Sequence, residues 1–302
     1  MKTLEFSHNR GRSPRGLITE RYNPQDQVSE TPIVILTGFG TTPPPKGDRA
    51  ELSDQELRRT SYLGLFPGLT AQLTGHPVHI TYHPAVSRLI TRAGLYSADA
   101  AQMQFEDSPE GHYFLHSMAA CIGYDILTRD RRYAGKTEKA KSITLAAPWT
   151  TARDALSHKG KVRKLLGVDL ETAFKLLQHL PIPCWYPNTN QTWHDGDGET
   201  EKSKHWGAAL IPRATSARYA LTLDAKKKLA DVKVSQTPLV IDTKQDRVFS
   251  EDRTEIAEML KARITKIEAG HRFFTAEREK LVPVIERFHE HIEASEWIEE
   301  IF

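Results

Sequence analysis

The sequence has few cysteines, no long apolar segment and no excess of either charge. Only two of its 302 residues are cysteine, Cys121 and Cys184, which is too few for a framework of disulfide bonds. Lys and Arg number 41 against 39 Asp and Glu, so the net charge gives no general attraction to nucleic acid or to a membrane surface. No apolar run approaches the length of a membrane span. These absences favour a globular, cytoplasmic protein without nucleic-acid partners and without stable insertion into a membrane.

Three further kinds of motif are missing. The opening residues, MKTLEFSHNRGRSPRG, lack the apolar core of a secretory signal peptide, so we expect no export signal. No G-x-G-x-x-G sequence or P-loop follows an apolar run, which argues against a nucleotide- or phosphate-binding protein. The acidic residues and histidines between Pro181 and Gly207 do not have the spacing of a known ligand pattern. The sequence therefore predicts neither a metal nor another cofactor.

Short apolar runs alternate with helical segments along much of the chain. Residues 1–23 read as a hairpin of two short strands. Further strands are predicted at residues 33–36, 77–82, 112–115, 142–147, 237–241 and 264–267. Several of these runs are apolar throughout, as expected of strands that are buried on both faces of a sheet. The alternation predicts an α/β fold with a mostly parallel central sheet and helices on both faces.

The strand–helix alternation stops between about residues 150 and 224. This stretch contains helical segments and a polar loop rich in tryptophan. We interpret residues 151–224 as an inserted helical cap or lid on a core made of residues 1–150 and 225–302. Such a cap shapes a pocket and excludes water from it, and Trp149 and Trp185 are candidates for the pocket lining. The alternative is a helical insertion whose tryptophans are packed side chains and which does not act as a cap.

A serine stands where a strand is predicted to turn into a helix. The segment HYFLHSMAACIGY, residues 112–124, reads as an apolar strand, a sharp turn at 116–118 and a helix that opens with small residues. Such a turn lifts the Ser117 Oγ off the sheet, and the helix N-terminus supplies unpaired amide N–H groups beside it. These amides suit the oxyanion that forms when a serine attacks a carbonyl carbon. Ser117 is therefore the candidate nucleophile.

This turn resembles the nucleophile elbow of the α/β-hydrolase superfamily, which usually reads G-x-S-x-G. Leu115 and Ala119 occupy the two glycine positions around Ser117. Ala119 is an ordinary replacement, whereas Leu115 departs from the pattern, because strand and helix usually approach closely at that position. The neighbouring His116 is common in the family and is expected to be structural.

A second segment carries the same resemblance. Thr37-Gly38-Phe39, after the strand at 33–36, is similar to the family's oxyanion loop, although Thr37 replaces the usual histidine. The resemblance implies that the backbone N–H groups of Phe39 and Met118 form the oxyanion hole.

Two later residues complete a candidate catalytic triad. Asp246 follows the strand at 237–241, and His271 follows the last strand in a Gly-His segment typical of the family. The chain order Ser…Asp…His is the order that α/β-hydrolases use, and all three residues fall at carboxyl ends of predicted parallel strands. A histidine can take the serine's proton near neutral pH, and a carboxylate orients its imidazole. Asp242 is the alternative acid, but the family's spacing after Pro238 favours Asp246.

The resemblance covers residues 1–150 and 225–302 and implies a cofactor-free serine hydrolase. Its substrate would be a carboxylic ester or thioester of a small molecule or acyl chain, cleaved through a Ser117 acyl-enzyme. The segment 117–124 is also similar to the elbow of bacterial luminescence acyl-ACP thioesterases, which points to acyl thioester chemistry. Two alternatives stay open: an acyltransferase with the same triad, and a non-catalytic binding protein of this fold, which Leu115 and Thr37 would fit.

Overall fold

The computed structural model describes most of the chain outside the predicted cap. The described residues are 4–37, 49–83, 98–133, 135–148, 150, 225–230, 234–246, 253–271 and 273–301. The predicted cap at 151–224 lies outside them, as do Phe39, Trp149 and Trp185. The cap, the domain boundaries and the roles of these three residues therefore stay predictions from the sequence.

The described strands form one eight-stranded sheet. They are β1 (Phe6–Arg12), β2 (Ile18–Pro24), β3 (Ile33–Thr37), β4 (Val78–Thr81), β5 (Gly111–His116), β6 (Ala140–Ala146), β7 (Leu239–Thr243) and β8 (Arg263–Ile267). Their order across the sheet is β1-β2-β4-β3-β5-β6-β7-β8. β2 pairs antiparallel with β1 and β4, and every other neighbouring pair is parallel. The predicted α/β fold with a mostly parallel sheet and an opening hairpin is confirmed.

Seven α-helices lie in the described part of the chain. They are α1 (Asp54–Thr60), α2 (Phe66–Thr74), α3 (Ala98–Glu106), α4 (Ala120–Leu127), α5 (Ala225–Leu229), α6 (Thr254–Met259) and α7 (Arg278–Ile301). The sequence did not predict α1, which opens with a capping box between Ser53 and Glu56. The helix α6 has Arg253 at its N-cap position. None of the described helices is long and apolar enough to cross a membrane.

Two hydrophobic clusters cover the two faces of the sheet. The helices α2 and α7 pack on one face, and α3, α4, α5 and α6 pack on the other. Successive residues of a strand point to opposite faces, so Phe114 of β5 packs against Phe66 and Phe288 of the first cluster, while Leu115 belongs to the second. The two-sided burial explains why the central strands read as continuous apolar runs. Cys121 of α4 is a fully buried free thiol.

Candidate active site

Ser117 lies at the carboxyl end of β5, in the middle of the sheet. β5 pairs on one side with β3 and on the other with β6. A single 3₁₀ turn, Ser117–Ala119, connects the strand to α4. The backbone φ of Ser117 is +57°, a left-handed conformation that non-glycine residues seldom adopt. The local geometry is therefore a strained strand-to-helix turn that carries a serine at its tip.

The structure brings Ser117, His271 and Asp246 into one hydrogen-bonded chain. The Ser117 Oγ lies 2.9 Å from the His271 Nε2. The His271 Nδ1 lies 2.8 Å from the Asp246 Oδ2. In the sequence, His271 is 154 positions from Ser117 and 25 positions from Asp246, so only the sheet places the three residues side by side.

The partners of His271 determine which ring nitrogen carries the proton. An ionised carboxylate accepts hydrogen bonds and does not donate them, so the Nδ1–H of the neutral ring donates to Asp246. The Nε2 of the same ring then accepts the hydroxyl proton of Ser117. The side chain of Asp246 is only 1% exposed and that of His271 10%, so protein groups rather than bulk water fix this arrangement.

The loops after β7 and β8 are held together by backbone hydrogen bonds. The amide of Lys244 donates to the Ile267 carbonyl, and the amide of Gln245 donates to the Ala269 carbonyl, both at 3.0 Å. The Asp246 amide closes a turn by donating to the Thr243 carbonyl at 3.1 Å. These bonds fix the distance between the loop that carries Asp246 and the loop that carries His271.

Arg253, to which no sequence pattern points, also belongs to this candidate site. Its side chain is 1% exposed and lies between two carboxylates. One guanidinium nitrogen donates to the Asp242 Oδ1 and another to the Asp246 Oδ2, each at 2.7 Å. A third donates to the Pro148 carbonyl at 3.3 Å. The alternative acid, Asp242, therefore pairs with Arg253, whereas Asp246 contacts both Arg253 and His271.

His116, directly before the serine, contacts the backbone of His271. Its Nε2 donates to the backbone carbonyl of His271 at 2.9 Å, and its ring packs edge-on against Phe274. Burial, followed by the electrostatic effect of the neighbouring His271 side chain, lowers the pKa of His116 well below its ordinary value, so the His116 ring is neutral. This position agrees with the structural role expected of His116.

The structure explains how Leu115 is accommodated at the unusual elbow position. Gly123 lies on α4, opposite β5. A Cβ atom at Gly123 would stand 2.8 Å from the Leu115 Cδ1 and 2.5 Å from the Leu145 Cδ2, both too close for real atoms. The small residue that allows strand and helix to approach is therefore on the helix, while the strand carries the larger side chain. The sequence contains an indication of this close approach, since Gly123 is an isolated glycine inside an apolar helical segment.

Of the two predicted oxyanion-hole donors, only Met118 lies among the described residues. Met118 follows Ser117 in the 3₁₀ turn and is nearly buried, at 9% exposure. β3 ends beside β5, with Thr37 paired to His116, so the carboxyl end of β3 lies at the edge of the sheet that carries Ser117. Phe39, the other predicted donor, lies outside the described residues, as do the predicted pocket residues Trp149 and Trp185.

Several solved structures share this arrangement of the chain. One is a proline iminopeptidase from Mycobacterium smegmatis, 13% identical, with a TM-score of 0.53 over 95% of this chain and 100% of that one. Another is a membrane phospholipase A described as a bacterial virulence factor, 14% identical, with a TM-score of 0.51 over 97% and 88%. A third is an esterase from Exiguobacterium antarcticum, 13% identical, with a TM-score of 0.50 over 95% and 99%.

At these identities the similarity establishes the fold and leaves the activity to the site itself. No protein-family model matches the sequence, and no curated protein matches it.

Proposed function

We propose that this chain, which has the α/β-hydrolase fold, is a serine hydrolase that cleaves a carboxylic ester or thioester through an acyl-enzyme on Ser117. The observation that carries the proposal is the unbroken hydrogen-bonded chain from the Ser117 Oγ through His271 to Asp246. These three hydrogen-bonded side chains lie at the carboxyl edge of the parallel strands, where open α/β sheets place their active sites.

Acylation begins when the Ser117 Oγ attacks the carbonyl carbon of the substrate. His271 takes the hydroxyl proton on Nε2, to which the hydroxyl is already hydrogen-bonded. The imidazolium so formed keeps its Nδ1–H on the buried carboxylate of Asp246, which stabilises the positive charge. The carbonyl π electrons move to oxygen and form a tetrahedral oxyanion.

The oxyanion is stabilised by backbone amides beside the nucleophile. In this proposal the N–H groups of Met118 and Phe39 donate to it. The position of Met118 in the turn after Ser117 supports the first donor, and the resemblance of residues 37–39 to the family's oxyanion loop supports the second. Removing one such donor typically costs about 100- to 1000-fold in kcat.

Collapse of the intermediate expels the leaving group and leaves the acyl group on Ser117. His271 returns its proton to the alkoxide or thiolate that departs. A water molecule then donates its proton to the His271 Nε2 and attacks the acyl carbon. The acid is released and Ser117 regains its proton. If an alcohol or amine replaces water in the second half-reaction, the same residues catalyse acyl transfer.

Labelling with a fluorophosphonate tests for an activated serine. The Ser117 Oγ attacks phosphorus and fluoride leaves, so the enzyme is labelled covalently. We expect the wild type to be labelled and Ser117→Ala not to be. Ser7→Ala is the matched control: Ser7 is an exposed serine on β1 that contacts Asn23, and this variant should be labelled like the wild type.

A chain-length series of p-nitrophenyl esters and acyl-CoA thioesters then separates the activities. Release of free acid identifies a hydrolase and reports the length of the acyl pocket. Transfer to an added alcohol with little free acid identifies an acyltransferase. Absence of labelling in folded wild type would contradict the proposal and favour a ligand-binding protein with this fold.

A further inference from the structure

A second cluster of chemically competent side chains lies at the opposite edge of the sheet. His112 is near the amino end of β5, in register with Val78 of β4 through Ile33 of β3. His76 lies two residues before Val78. Ser117 follows His112 by five residues of extended strand, so about 16 Å of sheet separates this edge from the nucleophile.

Three potential metal ligands from distant parts of the chain converge here. They are His76, His112 and Glu296 of α7, and one ligand atom from each lies within 4.8 Å of the others. The His112 Nε2 is already 3.0 Å from the Glu296 Oε1. The two rings contact edge to face, with centroids 5.6 Å apart. His76 is 3% exposed and His112 is fully buried, so two of the three ligands come from the interior.

Hydrogen bonds to the protein orient both imidazoles. The His76 Nδ1 lies 2.9 Å from the Thr31 carbonyl, which can only accept, so this nitrogen carries the proton. The His112 Nδ1 lies 3.0 Å from the Ser142 Oγ. Metal-binding histidines in proteins have this outer arrangement, in which one ring nitrogen is held by a protein oxygen and the other binds the metal. In the neutral His76 ring, Nε2 is therefore the nitrogen with the lone pair.

We propose that His76, His112 and Glu296 form a zinc site at the amino edge of the sheet. Nε2 of each histidine and one carboxylate oxygen bind the ion, and a water molecule takes the fourth position of a tetrahedron. Imidazole and carboxylate are ligands that Zn²⁺ prefers, with bonds of about 2.0 to 2.2 Å. Tetrahedral bonds of that length bring the ligand atoms to about 3.3 Å from one another. The Glu296 side chain is 39% exposed, so its carboxylate has room to adjust its position relative to the ion.

The charge of the ligand set suits a cation. The two neutral rings and one carboxylate give the ligand set a charge of −1, which partly neutralises Zn²⁺.

The site would connect α7 to the sheet. His112 belongs to β5 and His76 to the segment that joins α2 to β4, whereas Glu296 lies near the end of the 24-residue helix α7. Binding one ion to all three closes a contact between residues 184 positions apart. An ion that binds the folded chain and not the unfolded one stabilises the fold. The proposal is independent of the catalytic role of Ser117.

Calorimetric titration with Zn²⁺ and thermal unfolding test the site. After chelator treatment and its removal, the wild type should bind one equivalent of Zn²⁺. Its Tm should rise by about 4 °C when free Zn²⁺ stands at 100 times Kd. Glu296→Gln and His76→Gln should lose the strong binding and the rise in Tm. The far-UV circular dichroism of both variants should match that of the wild type, because Glu296 is partly exposed and Gln at position 76 is a polar side chain that replaces only the ring contacts of His76.

Glu293→Gln is the matched control. Glu293 lies one turn before Glu296 on the same helix, and its side chain is 61% exposed. This variant should bind Zn²⁺ as the wild type does. The proposal would be overturned if the wild type binds no Zn²⁺, or if Glu296→Gln and His76→Gln keep the same stoichiometry, affinity and rise in Tm. Retained binding in these two variants would assign the ion to other residues.

Discussion

The buried guanidinium of Arg253 donates to the same oxygen of Asp246 that accepts the Nδ1–H of His271. The Asp246 Oδ2 also accepts from the Thr243 hydroxyl at 3.2 Å. One carboxylate oxygen thus receives three donors, which fixes its position relative to the imidazole. Arg253 is a positioning residue in this arrangement, since it contacts the acid rather than the reacting atoms.

The second carboxylate, Asp242, balances the charge of this cluster. Arg253 contributes one positive charge, and Asp242 and Asp246 contribute two negative charges, so the three groups sum to −1. When His271 becomes an imidazolium during catalysis, the four groups together become neutral. Asp242 therefore affects His271 through Arg253 without touching it.

Changing the charge of this cluster should shift the acidic limb of the pH profile of kcat/KM. In Asp242→Asn, the remaining charges of Asp246 and Arg253 sum to zero. The imidazolium form of His271 is then less stable, so the acidic limb should move to lower pH. Arg253→Gln leaves two carboxylates near His271, and the limb should move to higher pH. Each shift should be about one pH unit, the size expected for a charge several ångströms away.

The two opposite shifts distinguish this electrostatic role from a purely structural one, which would lower the rate equally at every pH. Arg253→Gln should also destabilise the fold by about 3 to 5 kcal/mol, because it leaves carboxylates buried without their partner. Arg253→Lys keeps the charge and is the control: it should hold the limb at its wild-type position while losing part of the stability. Equal pH profiles in all of these variants would refute the role.

Asp246→Asn should remove most of the activity without unfolding the protein. The amide can donate to the His271 Nδ1 and so favour the wrong tautomer, in which Nε2 carries the proton and cannot accept it from Ser117. We expect kcat to fall by about 10⁴-fold, as for other triads of this kind. Fluorophosphonate labelling should slow in proportion. A kcat within tenfold of the wild type would show that another group orients His271.

Replacing Gly123 should separate strand and helix at the elbow. In Gly123→Ala the new methyl group would meet Leu115 and Leu145 at distances that force α4 to move or the leucines to change rotamer. We expect a loss of about 1 to 3 kcal/mol in the free energy of unfolding and a lower kcat, because α4 begins three residues after Ser117.

The control for this variant is Gly11→Ala on the edge strand β1, where the added methyl group would stand 3.6 Å from the Thr19 Oγ1, an ordinary contact. A double-mutant cycle with Leu115→Ala should give a favourable coupling, since the smaller strand residue makes room for the helix methyl group. Additive effects would show that the two positions do not share this space.

The protein should lose stability when the pH falls below about 6.5, before its carboxylates titrate. Burial lowers the pKa of His291 to about 4 and that of His83 to about 3. A histidine with a lowered pKa binds fewer protons in the folded state than in the unfolded state, so its contribution is full above pH 6.5 and declines as the pH falls toward the folded pKa. One residue such as His291 should cost about 1.5 kcal/mol between pH 6.5 and pH 5.

Urea unfolding at each pH, in buffer with chelator, measures this decline. His291→Gln removes one titrating group and should reduce the slope of stability against pH over this range. His289→Gln is the control, because His289 lies on the same helix and its side chain is 29% exposed. A slope in His291→Gln equal to that of the wild type would show that His291 does not contribute.

The sequence by itself determined the sheet and the candidate triad. The apolar runs of β3, β5, β6 and β7 report burial on both faces, which is a local property of each segment. The strand–helix alternation then implied parallel pairing. Because parallel strands end at one edge, a serine, an aspartate and a histidine after three such strands were expected to lie together. The structure places His271 between the other two, within hydrogen-bonding distance of Ser117 on one side and of Asp246 on the other.

Only the tertiary structure decided which side chains meet away from the strand ends. No sequence pattern pairs Arg253 with Asp246, since a charged residue near a helix start is ordinarily a solvated one. Leu115 departs from the usual elbow pattern, and only the close approach of α4 at Gly123 shows how it is accommodated, because hydrophobic periodicity does not report the distance between a strand and the next helix. His76, His112 and Glu296 are far apart in sequence and have no motif spacing, and they converge because helix packing on a parallel sheet joins segments from the whole chain.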